Sequence, residues 1–302
     1  MSVYVGIAGK AHSIKKLYVG VGNAARKVKK AYIGVGGVAR LFYRAGYGNC
    51  PGGLYAVSNT LGSVDTNIQY IDTETYAIKS SIKGPISTSA YGSIRICGTS
   101  GKLMIGRYKS NKPKSYYYEN TYAVDYLTGA SVKADWTPSP SSNYEQAINF
   151  GSDNFLGNCT DTQLIKRNPE DYSVLSTVTL PGVIKPGGTG ATQLSGIATA
   201  GGDANTCYIG GWYAVSYVYA MAGFFNISTG AFIKSCHCTG HVGTMSGVTS
   251  VDALGPFLYM LHVEYKSESN INYFLKFDKN TAAEISKTTL NDRDLGSICT
   301  IK

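Results

Sequence analysis

The chain has 302 residues, of which 43% are apolar and only 16% charged, and it is rich in glycine (36) and tyrosine (24). That composition excludes a disordered chain and disfavours amphipathic helices; it suits many short strands joined by tight turns. The formal net charge of +9 is confined to one end, because residues 1–44 hold nine basic side chains and no acid, while the remainder holds nineteen of each sign.

Residues 1–9 lack the basic stretch and apolar run of a secretory signal. The longest uncharged stretch, Ala204 to Ile233, carries Gly210, Gly211, Ser216 and Asn226, so no membrane insertion is expected. Seven scattered cysteines are an odd number. They fit reduced thiols in a product made in a cytoplasm better than a disulfide framework.

Three copies of a 14-residue repeat open the chain: Val3 to Lys16, Leu17 to Lys30 and Ala31 to Arg44. Tyr4, Tyr18 and Tyr32 coincide, as do Gly6, Gly20 and Gly34, and Ala11, Ala25 and Ala39. Each copy reads as a short apolar strand, a two-residue turn and a second strand alternating apolar and basic residues. The turns fall at Ala8 and Gly9, Gly22 and Asn23, and Gly36 and Gly37. One copy buries little, so the segment is expected to intertwine with identical chains, as a trimer. Its side chains Lys15, Lys16, Arg26, Lys27, Lys29, Lys30 and Arg40 are candidate attachment residues for an acidic socket. A nucleic-acid patch and a merely solvated basic face are the alternatives; the socket is the reading adopted, with no nucleic-acid partner.

The run Tyr18-Val-Gly-Val-Gly-x-x-Ala-Arg-Lys-Val-Lys-Lys30 resembles the repeated N-terminal segment of tail proteins in phages and prophages of Gram-positive bacteria. The resemblance covers about 44 residues. It implies an attachment module for the tail tip, other tail or baseplate proteins as partners, and a place in the virion tail. The first copy departs from the pattern, with Ala8, His12 and Ser13 where the second has Gly22, Arg26 and Lys27, and the third loses its lysine pair. Nothing in it says what the other 258 residues bind.

Gly46 to Gly53 reads as a linker. The organisation expected is 1–45 for attachment and oligomerisation, 46–53 as linker, and 54–302 as an all-β head. In that head an Asp or Asn repeatedly closes an alternating strand, with Thr three residues on: Asp72 and Thr75, Asp125 and Thr128, Asn226 and Thr229, Asp278 and Thr281. A degenerate copy has Asn168 and Asp171. Asp or Asn opens such turns because its side chain accepts local backbone hydrogen bonds. Successive copies lie 43 to 58 residues apart, the size of a four-stranded propeller blade. The last segment, Leu295 to Lys302, matches the strand from Tyr91 to Cys97, while the first unit starts at Leu54 with what reads as a second strand. The fold expected is a five-bladed β-propeller closed by the C-terminal strand, with a sandwich or an open array as alternatives.

Propellers include glycoside hydrolases, which need two carboxylates across one pocket. The expected inner strands, 93–97, 146–150, 196–200, 247–251 and 296–301, contain no carboxylate; Asp153, Asp203 and Asp252 fall just past three of them. Cys236, His237, Cys238 and His241 invite a metal reading, but two thiols two residues apart on a strand share a face and suit burial. No phosphate loop or nucleophile motif is present. No catalytic residue, metal or cofactor is therefore expected. Aromatic residues remain, with Trp136, Trp212, Tyr213 and Tyr117 as candidate receptor-binding residues that can stack on sugar rings. The expected function is a non-enzymatic tail-fibre or receptor-binding protein contacting a bacterial surface glycan or protein. A glycan-degrading tail depolymerase and a purely structural tail component are the alternatives.

Overall fold

A computed structural model of the chain describes residues 4–7, 10–13, 18–21, 24–27, 30–35, 38–44, 50–58, 66–86, 92–99, 102–110, 116–133, 150–151, 156–159, 163–168, 173–180, 200–203, 205–214, 218–240, 242, 248–264, 271–290 and 295–302. Side chains are described within 50–133 and 163–302 only.

The N-terminal repeats form three separate two-stranded sheets: β1 (Tyr4–Ile7) with β2 (Lys10–Ser13), β3 (Tyr18–Val21) with β4 (Ala24–Lys27), and β5 (Lys30–Val35) with β6 (Val38–Arg44). The register repeats with the sequence: Gly6 faces Ala11, Gly20 faces Ala25 and Gly34 faces Ala39. Two residues separate the strands of every hairpin, as the turn positions predict.

Four-stranded antiparallel sheets follow. The first contains β7 (Gly53–Ser58), β8 (Asn67–Ile71) and β9 (Ile78–Lys83). The second is β10 (Gly92–Thr99), β11 (Lys102–Ser110), β12 (Tyr116–Val124) and β13 (Ser131–Lys133). The third is β14 (Phe150–Gly151), β15 (Leu156–Cys159), β16 (Gln163–Arg167) and β17 (Val174–Thr179). The fourth is β18 (Ala200–Gly202), β19 (Thr206–Ala214), β20 (Val218–Asn226) and β21 (Phe232–His237). The fifth is β22 (Val248–Leu254), β23 (Phe257–Glu264), β24 (Ile271–Asp278) and β25 (Glu284–Leu290). Finally β26 (Leu295–Ile301) returns to pair with β7, giving the first sheet the order β26-β7-β8-β9. The leading strands β26, β10, β14, β18 and β22 touch in that cyclic order, so the sheets form a propeller-like ring closed by the C-terminal strand.

Strands in such a ring are covered on both faces, which explains runs such as Leu54 to Val57 and Leu258 to Leu261 that do not alternate. Leu54 and Ala56 pack with Tyr259, Leu261 and Phe274 of the fifth sheet. Tyr55 and Val57, on the opposite face of β7, pack with Leu103, Ile105 and Val124 of the second. The end of the segment read as linker belongs to this body. Cys50 is buried, the Tyr55 hydroxyl donates to the Pro51 carbonyl at 2.7 Å, and the Tyr70 hydroxyl donates to that of Gly52 at 3.1 Å.

The Asp/Asn turns join the third and fourth strands of their sheets and are built alike. The Asp72, Asp125, Asn226 and Asp278 Oδ1 atoms each accept the N–H groups two and three residues on, within 2.8–3.1 Å. Each Thr hydroxyl accepts the N–H two residues beyond it. The fourth residue after the Asp or Asn is left-handed in all four: Tyr76 (φ 57°), Gly129 (68°), Gly230 (73°) and Ala282 (62°). An L side chain there is strained, so Ala282→Gly is expected to raise stability by about 0.5–1 kcal/mol in chemical unfolding.

The residue after each Asp or Asn leans on the preceding sheet. Tyr126 contributes its hydroxyl to Ser80 at 2.9 Å and to the Tyr70 N–H at 3.2 Å. Ile227 packs with Leu164 and Leu180. The Lys279 ammonium reaches Asp203 at 3.2 Å, and Thr73 lies beside the Tyr259 hydroxyl. Between the first and fifth sheets, Glu74 accepts from the buried Lys276 ammonium at 2.8 and 3.0 Å, and that ammonium lies 4.2 Å over the Phe257 ring.

Candidate functional site

Antiparallel order gives the ring two unlike ends. At one lie the hairpins between first and second strands and the Asp/Asn turns, connections of two to six residues. At the other, here the upper end, lie the connections between second and third strands and those from sheet to sheet. The two longest connections in the ring, 134–149 and 180–199, leave from the upper end. Long connections on a rigid frame are where recognition residues concentrate.

The backbone brings three of the four candidate aromatics to this end. Trp212 and Tyr213 are the two positions before Ala214, the last residue of β19, and Tyr117 is the second position of β12. In register Trp212 faces Ala220, Tyr213 faces Tyr219 and Tyr117 faces Lys109. They stand on the second and fourth sheets, which are not neighbours, so they do not form one cluster. Trp136, in the connection 134–149, lies outside the described residues. Of the attachment candidates, Arg26 and Lys27 lie on β4, Lys30 on β5 and Arg40 on β6; Lys15, Lys16 and Lys29 lie outside the described residues.

A second group at the upper end escaped sequence reading. His262 and Glu264 share one face of β23, and Tyr273 faces His262 in register. The Tyr273 hydroxyl donates to Glu264 Oε2 at 3.3 Å, and its ring lies 6.4 Å from that of His262. The Lys287 ammonium sits 5.9 Å over the Tyr273 ring and donates to the Thr239 carbonyl at 3.2 Å. Burial holds the His262 imidazole down to about 4, so it is neutral at ordinary pH. Tyr219 and Tyr273 both pack half-buried against the core between the fourth and fifth sheets. In this seam the Lys287 ammonium lies over the Tyr273 ring, and the buried Glu264 carboxylate and His262 imidazole hold that ring in place from below. The alternation of 260, 262 and 264 was legible; the pairing of 262 with 273 needed the strand register.

The aspartates considered for bond-breaking have other work. Asp203 Oδ1 accepts the N–H groups of Asn205 and Thr206, and Oδ2 accepts the Tyr208 hydroxyl at 2.5 Å and Lys279 at 3.2 Å. Burial pushes its carboxyl up, but these hydrogen bonds outweigh that and the net shift is downward. It lies at the end opposite the aromatics. Asp252 corrects the sequence reading: β22 continues to Leu254, so this leading strand does contain a carboxylate. It is 3% exposed, and its Oδ2 accepts the Thr300 N–H at 2.7 Å and the Thr300 hydroxyl at 3.0 Å, while Oδ1 accepts the Ala253 N–H at 2.8 Å. Beside it, Ser250 Oγ accepts the Ile298 N–H at 2.9 Å. These two side chains accept the Ile298 and Thr300 N–H groups of β26 and tie it to the fifth sheet. Asp153 lies outside the described residues. The Cys236 and Cys238 thiols share one core cluster, as their spacing predicts, and burial pushes both up, to about 12 and about 11. Among the described residues no group of three or more His, Cys, Asp or Glu side chains is placed to hold a metal, and no helix is long and apolar enough to cross a membrane.

No family model matches the chain, and no curated protein sequence matches it. Among solved structures it is similar to TolB from Acinetobacter baumannii, at 10% identity and a TM-score of 0.42, over 84% of this chain and 68% of that one. It is similar to a Mycobacterium tuberculosis puromycin-hydrolyzing peptidase at 11% identity and 0.34, over 95% of this chain and 46% of that one. The WD40 domain of SCAP from fission yeast matches at 8% and 0.31, over 93% and 73%. At identities and scores this low, the three carry no argument about what this chain does.

Proposed function

We propose that the chain is a tail-fibre or receptor-binding component of a phage or phage-derived particle of a Gram-positive host. The basic hairpins attach it to the tail among other tail or baseplate proteins, and the ring, read as a five-bladed β-propeller, presents its upper end to a glycan or protein of the bacterial surface. The chain works as a homo-oligomer, a trimer, without catalysis, cofactor or nucleic acid. Two-stranded sheets with strands of four to seven residues are marginal alone, which favours identical chains and a socket as their support. Several modest heads on one particle then raise avidity.

The observation that carries the reading is the division of the chain: an acid-free repeat with one constant hairpin register, followed by a charge-balanced ring whose long connections and strand-end aromatics share one end. Competition of the purified chain with particles for host cells tests it. The free chain is expected to block adsorption, and Trp212→Ala or Trp136→Ala to weaken binding by about 1–3 kcal/mol while the variants stay folded. Asp203→Ala should leave binding intact. A free chain that neither binds nor blocks would leave a purely structural tail part; released reducing ends from host polysaccharide would make it a depolymerase.

A further inference from the structure

The hairpins are joined to the ring by a short tether. Five residues, 45–49, lie between Arg44 of β6 and the buried Cys50, so the tether reaches at most roughly 20 Å. It enters at the end of the Asp/Asn turns, where Gly53 faces Ile301 and Leu54 faces Ile71, the residue before Asp72. In the first sheet β7 is the second strand from the centre, so two strand spacings, about 10 Å, separate the entry from the outer wall. Given the trimer proposed above, on which this rests, each ring must turn its first sheet toward the common axis. Turned away, the tether would have to run beneath most of the ring, whose two opposed sheets of about 15 Å each already span roughly 30 Å.

Symmetry then selects the walls that meet. Three round bodies about a three-fold axis touch at points about 30° either side of the line to that axis. Five sheets in a ring put the two seams beside the first sheet about 36° either side of the same line. The contact is heterologous, one seam of one copy against the other seam of the next.

Both seams carry exposed aliphatic side chains at the end where the tether enters. In the seam with the fifth sheet, Ile78 and Ile285 are 41% and 50% exposed. Ile78 faces Ile71, which packs in the core shared by the first and fifth sheets, and Ile285 adjoins Ser286, which meets the Tyr76 hydroxyl. In the seam with the second sheet, Leu127 is 63% exposed and follows Tyr126, whose hydroxyl reaches Ser80. Leu127 and Glu74 each stand two residues after their turn aspartate, so they lie at one level of the ring. The charges are opposite. Lys133, exposed and facing Tyr122, marks the second-sheet seam, and Glu74, 72% exposed, marks the fifth-sheet seam. We propose that the rings touch one another in the oligomer, with Leu127 and Lys133 of one copy set against Ile78, Ile285 and Glu74 of the next. The contact fixes the three heads as one cluster with their upper ends on the same side.

Site-directed cross-linking of the full chain tests this. Leu127→Cys combined with Ile285→Cys, treated with a short bismaleimide, is expected to give linked species of two and three chains. Either substitution alone should give none, because the two sides of a heterologous contact differ. Leu175→Cys combined with Ile285→Cys is the control: Leu175 is 55% exposed but stands on the third sheet, away from the axis, and should not link. Sedimentation of the untreated chain reads the oligomer separately. A trimer that stays unlinked overturns the contact and leaves the trimer standing. Links from one cysteine substitution alone, or from the Leu175 pair, overturn the contact as well. A chain that sediments as a monomer removes the trimer and the contact with it.

Discussion

A chain lacking Leu295–Lys302 is expected not to fold: insoluble on expression, or without a cooperative melting transition. Those residues hold β26, in which Leu295, Ile298, Cys299 and Ile301 are buried and shared between the cores flanking the first sheet. Full burial of an aliphatic side chain contributes roughly 1.5–3 kcal/mol, so three of them approach the whole stability of an ordinary domain, roughly 5–15 kcal/mol. The deletion also strips one edge of β7 and leaves Asp252 and Ser250 without the Thr300 and Ile298 N–H groups they accept. Thermal melting of the purified truncation is the measurement, and an unchanged transition would sink the closure.

Asp252→Ala is expected to cost about 2–4 kcal/mol, because it leaves the buried Thr300 and Ala253 N–H groups without acceptors and opens a small void. Its pH dependence has a definite sign. Burial raises the Asp252 carboxyl above 3.8, only partly opposed by Lys302 and by hydrogen bonds from Thr300 and Ala253. The folded protein therefore holds this proton more tightly than the unfolded chain. The stabilising contribution is complete below about 3.8 and is lost as pH rises through the raised folded value. Urea unfolding of wild type and variant at a series of pH values should give a gap that narrows as pH increases. Asp203 and Asp278, shifted downward, contribute in the opposite sense, with stability present above their unfolded values and lost on acidification. A gap that widens with pH would mean that Asp252 acts chiefly as a favourable charge.

The sequence carried the periodic features well. The Asp and Thr spacing located four turns, and the likeness of 295–301 to 91–97 located the strand that pairs with β7. What it hid depends on neighbours distant in the chain. Nothing local marks Asp252 as a strand residue, because its partner Thr300 lies 48 positions away. The left-handed Tyr76 was equally opaque: a large aromatic is a poor choice for that backbone, and it is retained because its ring packs 4.6 Å from Phe274 and its hydroxyl meets Ser286 at 3.1 Å. The upper end was legible as a list of aromatics, but which of them share a sheet came only with the register.

The way the ring receives the rest of the chain sets how it responds to mechanical load. A pull transmitted from the hairpins enters through Gly52 and Gly53 into β7, which is hydrogen-bonded to β26 on one edge and to β8 on the other and is buried along its length. An edge strand under tension unzips one bond at a time, whereas β7 must shear against two neighbours together. One of those neighbours is the last strand of the chain, so tension at the front of the ring is resisted by its own tail.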